Sequence, residues 1–200
     1  MSNSPTGHVP TLNIANVLTV IRILMVPLFI WLLAADDGQG GLYRWLAVAT
    51  FAVAIYTDKL DGDLARSRGL ITDFGKIADP IADKLLIGSA LVMLSVLGEL
   101  WWWVTILILV REVGITVLRF VVIRYGVMAA SRGGKLKTVI QTFAVFLYLL
   151  PLQTWLGAWA WWISAAVMAA AVVVTVVTGV DYVIQAVKLR RSALRHPGSR

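Results

Sequence analysis

Predominantly apolar stretches of about 20 residues recur along this chain, and that recurrence constrains its fold more than any other feature. A bilayer core of ~30 Å is crossed by about 20 such residues in helical form. Six stretches qualify: residues 16–35, 42–65, 80–97, 101–125, 136–152 and 156–187, the last long enough to run past the membrane surface. In lipid, backbone N–H and C=O groups must be satisfied within the segment, which selects helices. The alternating pattern of a membrane barrel is absent from the sequence. Hydrophobic residues make up 59% of the chain and charged ones 14%. Soluble domains run near ~45–50% and ~25%, so a water-soluble globule is excluded, as is a disordered chain. The predicted fold is all-α: an integral membrane bundle of six transmembrane helices in a single domain, 1–200. Residues 1–12 are expected to form a flexible N-terminus and 188–200 a basic cytoplasmic tail. The absence of cysteine excludes disulfides, thiolate zinc sites and a cysteine nucleophile.

The distribution of Lys and Arg predicts orientation. Connections 36–41, 98–100 and 153–154 have none, with Arg44 just beyond the first. The second-to-third connection carries Lys59, Arg66, Arg68 and Lys76, and the fourth-to-fifth Arg124, Arg132, Lys135 and Lys137. The tail adds Lys188, Arg190, Arg191, Arg195 and Arg200. Basic residues collect on the cytoplasmic side, so both termini are expected there. Trp101, Trp102, Trp103, Trp155, Trp159, Trp161 and Trp162 fall at the opposite interface, as an aromatic belt would. The first span lacks a signal peptide's basic lead and reads as a retained helix. Residues 9–15 could lie along the membrane surface. The net charge of +7 tracks this loop topology, which argues against nucleic acid.

Six of the eleven acidic residues fall between Asp58 and Asp83. Solvated loop charge accounts for Asp63 and Asp73, but not for the spacing of the others. Asp58 and Asp61 are three apart, Asp79 and Asp83 four apart, and each pair shares a helix face. Four ionised carboxylates brought together would take up protons or bind cations. Hard divalent ions are the natural counterpart, and Mg²⁺ binds carboxylates together with substrate phosphates. Two such ions on a diphosphate would stabilise both the attacked phosphorus and the leaving group. Gly62 and Ala65 leave that helix without bulk, for a ligand or for close helix packing. Arg66 offers a bidentate fork for a phosphate.

Asp58-x2-Asp61-Gly62-x2-Ala65-Arg66-x8-Gly75-x3-Asp79-x3-Asp83 resembles the signature of the CDP-alcohol phosphotransferases, with eight fixed positions in 26 residues. The resemblance implies that an acceptor hydroxyl attacks the β-phosphorus of a CDP-linked lipid and CMP leaves. It implies two Mg²⁺ or Mn²⁺ ions on Asp58, Asp61, Asp79 and Asp83, with Asp83 as general base. Gly62, Ala65, Arg66, Thr72, Gly75 and Asn16 would form the CDP-lipid site. A homodimer in a bacterial plasma membrane, active on the cytoplasmic face, is implied too.

The fourth and fifth spans carry polar residues that lipid would not favour. Arg111 and Arg119 lie about two turns apart on nearly one face. Arg111 can instead form an internal salt bridge with Glu112 or a motif Asp. Arg132, Lys135 and Lys137 can be plain positive-inside charges. An Arg/Lys set suits an acceptor bearing its own phosphate. Asn13-Ile14-Ala15-Asn16-x2-Thr19-x2-Arg22, Asp79-Pro80-x-Ala82-Asp83-Lys84, Arg111-Glu112-x6-Arg119 and Gly134-Lys135-x-Lys137-Thr138-x2-Gln141 resemble the bacterial branch of the family that uses sn-glycerol 3-phosphate with CDP-diacylglycerol. Ala15, where that branch usually has Pro, and Lys59 depart from it without touching a metal ligand. The resemblance makes Arg119, Lys135 and Arg111, in that order, the acceptor-phosphate ligands. Arg22 either faces the cleft or pairs with an Asp there. Alternatives are another acceptor (phosphatidylglycerol, inositol phosphate or serine) and a cation transporter built on the Asp cluster. The transporter reading meets two obstacles: acids at one membrane face rather than the midplane, and no broken-helix repeat.

Overall fold

The computed structural model describes residues 14–68, 72–122 and 132–195, every regular element of which is an α-helix. These are α1 (Ile14–Asp36), α2 (Leu42–Arg68), α3 (Asp73–Val96), α4 (Trp102–Val122), α5 (Arg132–Leu149), α6 (Leu152–Leu156) and α7 (Trp159–Arg195). The all-α expectation holds. Among the described residues two helices, Asn16–Asp36 and Trp159–Arg191, are long and apolar enough to cross a membrane by length and composition. At about 1.5 Å per residue the 37 residues of α7 extend about 55 Å, well beyond a ~30 Å hydrocarbon core.

Two differences from the hydropathy reading bear on the site and on the last helix. The third helix begins at Asp73, not Pro80, because its first two turns are polar and hydropathy does not register them. Asp79 and Asp83 therefore lie inside the helix. The final apolar run is broken: Gly157 takes φ 80°, which ends α6, and α7 restarts at Trp159.

The chain forms two compact units, Met1–Met93 and Leu94–Arg200. In the first, α1 and α2 pack side by side, with the Phe29 and Phe51 rings 5.7 Å apart. The buried face of α1 runs Asn16, Thr19, Arg22, Val26, Phe29, Leu33, a helical stripe that is polar at one end and apolar at the other. Its opposite face exposes Ile21, Leu24, Leu28 and Trp31, a surface suited to lipid. The Asp36 carboxylate accepts the N–H groups of Gly40 and Gly41 and fixes the turn into α2.

In the second unit α7 packs against α4, α5 and α6. It buries Ala160, Ser164, Met168, Ala171, Thr175, Thr178 and Tyr182 along one face. Mostly small residues there allow close backbone approach, which drives helix association where lipid removes the hydrophobic contrast. At one end Trp101, Trp103, Trp161 and Trp162 form a chain of ring contacts.

Candidate active site

Three polar side chains of α1, each three residues from the next, reach the acid motif. Arg22 is wholly buried, and its Nη1 donates to Asp58 Oδ1 at 2.6 Å. The Thr19 hydroxyl donates to Asp79 Oδ1 at 2.6 Å. Asn16 Oδ1 accepts the Thr72 hydroxyl at 2.9 Å. One strip of α1 thus orients one acid of each pair and the start of α3. Arg22 pairs with an Asp, as one of its two readings held. The sequence offers no local signal for the role of Thr19.

Thr72 is the N-cap of α3: its oxygen accepts the Gly75 N–H at 3.1 Å, satisfying one of the helix's open donors. With the Asn16 contact, this buried hydroxyl is engaged on both sides. Gly75 is shaped by the same cluster. A Cβ there would stand 3.0 Å from Asn16 Oδ1 and 3.3 Å from Thr72 Oγ1. Gly75→Ala gains at most about 1 kcal/mol of helix propensity. Against this stand about 1–3 kcal/mol of overpacking and a weakened buried hydrogen bond. The variant is expected to be less stable by about 1 kcal/mol, read as a lower thermal midpoint in detergent; an equal or higher midpoint would show that Asn16 gives way freely.

Asp58 and Asp61 stand on α2, Asp79 and Asp83 on α3. Asp58 is half-exposed, and Asp79 and Asp83 are partly exposed. Gly62, Ala65 and Arg66 lie in the last turns of α2. The side chains of Asp61, Ala65 and Arg66, and the surroundings of Gly62, lie outside the described residues. Among the described residues no three acidic or imidazole groups converge on a point. The donor set nonetheless fits a hard cation: all-oxygen ligands, two of them oriented by outer donors from α1, the support that metal-binding carboxylates receive.

The second unit holds an ionic cluster of its own residues. Glu112 Oε1 accepts from Arg111 Nη1 at 2.8 Å and also from Lys137 Nζ. Arg111 Nη2 donates to Thr178 Oγ1 at 2.9 Å. Arg111 therefore forms the internal pair with Glu112 that was its alternative reading, while its buried Nε has no hydrogen-bond partner. Lys137 is buried and paired, not a plain positive-inside charge. Arg119 is exposed and donates from Nη2 to the Tyr182 hydroxyl at 3.0 Å. No carboxylate pairs with it among the described residues. The side chain of Lys135 lies outside the described residues. Glu112 and Tyr182, absent from the sequence-derived site, turn out to organise the arginines.

A family model described as CDP-alcohol phosphatidyltransferase matches residues 12–179. The chain is 53% identical over 182 residues to a protein of Mycobacterium tuberculosis (strain ATCC 25618 / H37Rv) named probable phosphatidylglycerophosphate synthase, covering 91% of this chain and 85% of that one. It is 39% identical over 148 residues to the CDP-diacylglycerol–glycerol-3-phosphate 3-phosphatidyltransferase of Bacillus subtilis (strain 168), covering 69% and 77%. A Rickettsia typhi protein of the same name is 39% identical over 139 residues, covering 69% and 76%.

Proposed function

Because the chain belongs to the CDP-alcohol phosphatidyltransferase family, we propose that it transfers the phosphatidyl group of CDP-diacylglycerol to sn-glycerol 3-phosphate, giving phosphatidylglycerophosphate and CMP. The observation that carries this is the match to 91% of the chain by a relative named for that product. A match of that extent takes in both the acid motif and the basic residues of α4 and α5.

Asp58, Asp61, Asp79 and Asp83 are the candidate ligands of two Mg²⁺ or Mn²⁺ ions, which when bound would neutralise the diphosphate and the departing CMP. Asp83 takes the proton of the acceptor hydroxyl as that oxygen bonds to the β-phosphorus. The bond from this phosphorus to the CMP oxygen breaks, and CMP leaves with the electron pair. Arg66 holds a phosphate of the CDP group, and Gly62 and Ala65 admit it closely. Asn16, Thr72 and Gly75 brace the start of α3 beneath it. Arg119, with Lys135 and Arg111, receives the phosphate of the acceptor. The recurring apolar stretches support six spans and the Lys/Arg bias a site on the cytoplasmic face, and the family likeness supports a homodimer in a bacterial plasma membrane.

The test is CMP release by purified protein given CDP-diacylglycerol, Mg²⁺ or Mn²⁺, and each acceptor alcohol in turn. Release with glycerol 3-phosphate, abolished by chelator, is expected. Release only with phosphatidylglycerol, inositol phosphate or serine would replace the acceptor, and ion flux without CMP would replace the reaction.

A further inference from the structure

The last helix carries little chemistry in its sequence, yet one face of it is shaped to the two arginines of α4. Tyr182 is 3% exposed. The Arg119 guanidinium carbon lies 5.0 Å from its ring centroid, and Nη2 reaches its hydroxyl at 3.0 Å. The Arg111 guanidinium carbon lies 5.9 Å from the same centroid. One turn earlier, the Thr178 hydroxyl donates to the Val174 carbonyl at 2.7 Å, leaving its oxygen to accept Arg111 Nη2. Gly179 lies against the same side chain: a Cβ there would stand 3.4 Å from Arg111 Cγ, at the edge of ordinary contact.

We infer that Tyr182 is a positioning residue for the acceptor, holding the Arg119 guanidinium ready for a phosphate while Thr178 seats Arg111 beside the same ring. The inference rests on the reading of Arg119 as an acceptor-phosphate ligand. A long exposed Arg samples many rotamers, and ordering it at the moment of binding weakens affinity. A ring beneath the guanidinium orders it in advance. The ring achieves this without a carboxylate, so the full positive charge stays available. Of the five N–H donors of Arg119, the tyrosine hydroxyl takes one, which leaves a fork for phosphate oxygens.

The test uses the full chain in detergent, with initial rates measured against each substrate. Tyr182→Leu is expected to raise the KM for glycerol 3-phosphate about tenfold, with kcat and the KM for CDP-diacylglycerol within about twofold. Tyr182→Phe keeps the ring and loses the hydroxyl, so about threefold is expected. An unchanged acceptor KM in both variants overturns the inference. So does a parallel loss in kcat, both KM values and thermal midpoint, which would mark the ring as packing alone. Calorimetric titration of inorganic phosphate separates this from the functional reading. If glycerol 3-phosphate gives no CMP but Tyr182→Phe still weakens phosphate binding, the acceptor assignment falls and the positioning stands. Equal phosphate affinity in wild type and Tyr182→Phe overturns the positioning whatever the acceptor. Should Tyr182→Leu not fold, Tyr182→Phe decides.

Discussion

Asp83→Asn is expected to lower kcat about 10²–10⁴-fold, the usual contribution of a positioned general base, while the KM for CDP-diacylglycerol stays within a few-fold. Asn keeps the size of the side chain and one ligating oxygen, but it cannot take the acceptor's proton. Asp79 is pinned by the Thr19 hydroxyl and Asp58 by the Arg22 guanidinium, so both are held in single orientations, as ligands should be. A carboxylate tightly bound to metal is a weak base, so the proposed base has to be one that a metal would hold loosely. Asp83 stands one turn past Asp79 on α3. Asp79→Asn is the contrast. It should raise the metal concentration needed for half-maximal rate, with turnover partly recovered at high Mn²⁺, whereas no metal concentration should recover Asp83→Asn. Near-normal turnover in Asp83→Asn would sink the base assignment. Recovery by added metal would make Asp83 a ligand only.

The acid motif is legible in the sequence because it is written at short range. Spacings of three and four in a helix put side chains on one face, and the chain needs no tertiary knowledge to show it. What orients those acids is not written locally. Arg22 meets Asp58 across 36 residues, Asn16 meets Thr72 across 56, and Thr19 meets Asp79 across 60. A polar strip on an apolar helix signals that α1 faces something polar, but not which partner each residue takes. The same holds in the second unit. Lys137 looks like one more positive-inside charge until the fold brings Glu112 to it. Arg111 had both readings open from sequence, and only the fold shows that Thr178, 67 residues away, shares it with Glu112. Hydropathy also mislocates helix ends wherever function places charge within a helix. It starts α3 at Pro80, although Thr72 caps that helix at Asp73. It runs through Gly157, where the backbone turns left-handed.

Asp58→Ala should cost stability as well as activity, and the second loss should be separable from the first. The ion pair is lopsided: the Arg22 side chain is 0% exposed and that of Asp58 44%. Removing one partner of a buried pair costs up to about 3–5 kcal/mol, because the charge that stays in a poor solvent loses part of its compensation. Water reaching the Asp58 side reduces this, so about 2 kcal/mol is expected for Asp58→Ala. Arg22→Met fills a similar volume with apolar atoms, and replacing both members of a buried pair in this way is often neutral or better. The double variant Arg22→Met/Asp58→Ala should therefore be more stable than Asp58→Ala alone and lie within about 1 kcal/mol of the native chain. It should remain inactive, because it still lacks a proposed metal ligand. Thermal midpoints in detergent and CMP release read the two effects independently. If the double variant were no more stable than Asp58→Ala, Arg22 would not be the charge that Asp58 compensates. If it regained turnover, Asp58 would be needed to balance Arg22 and not to bind metal.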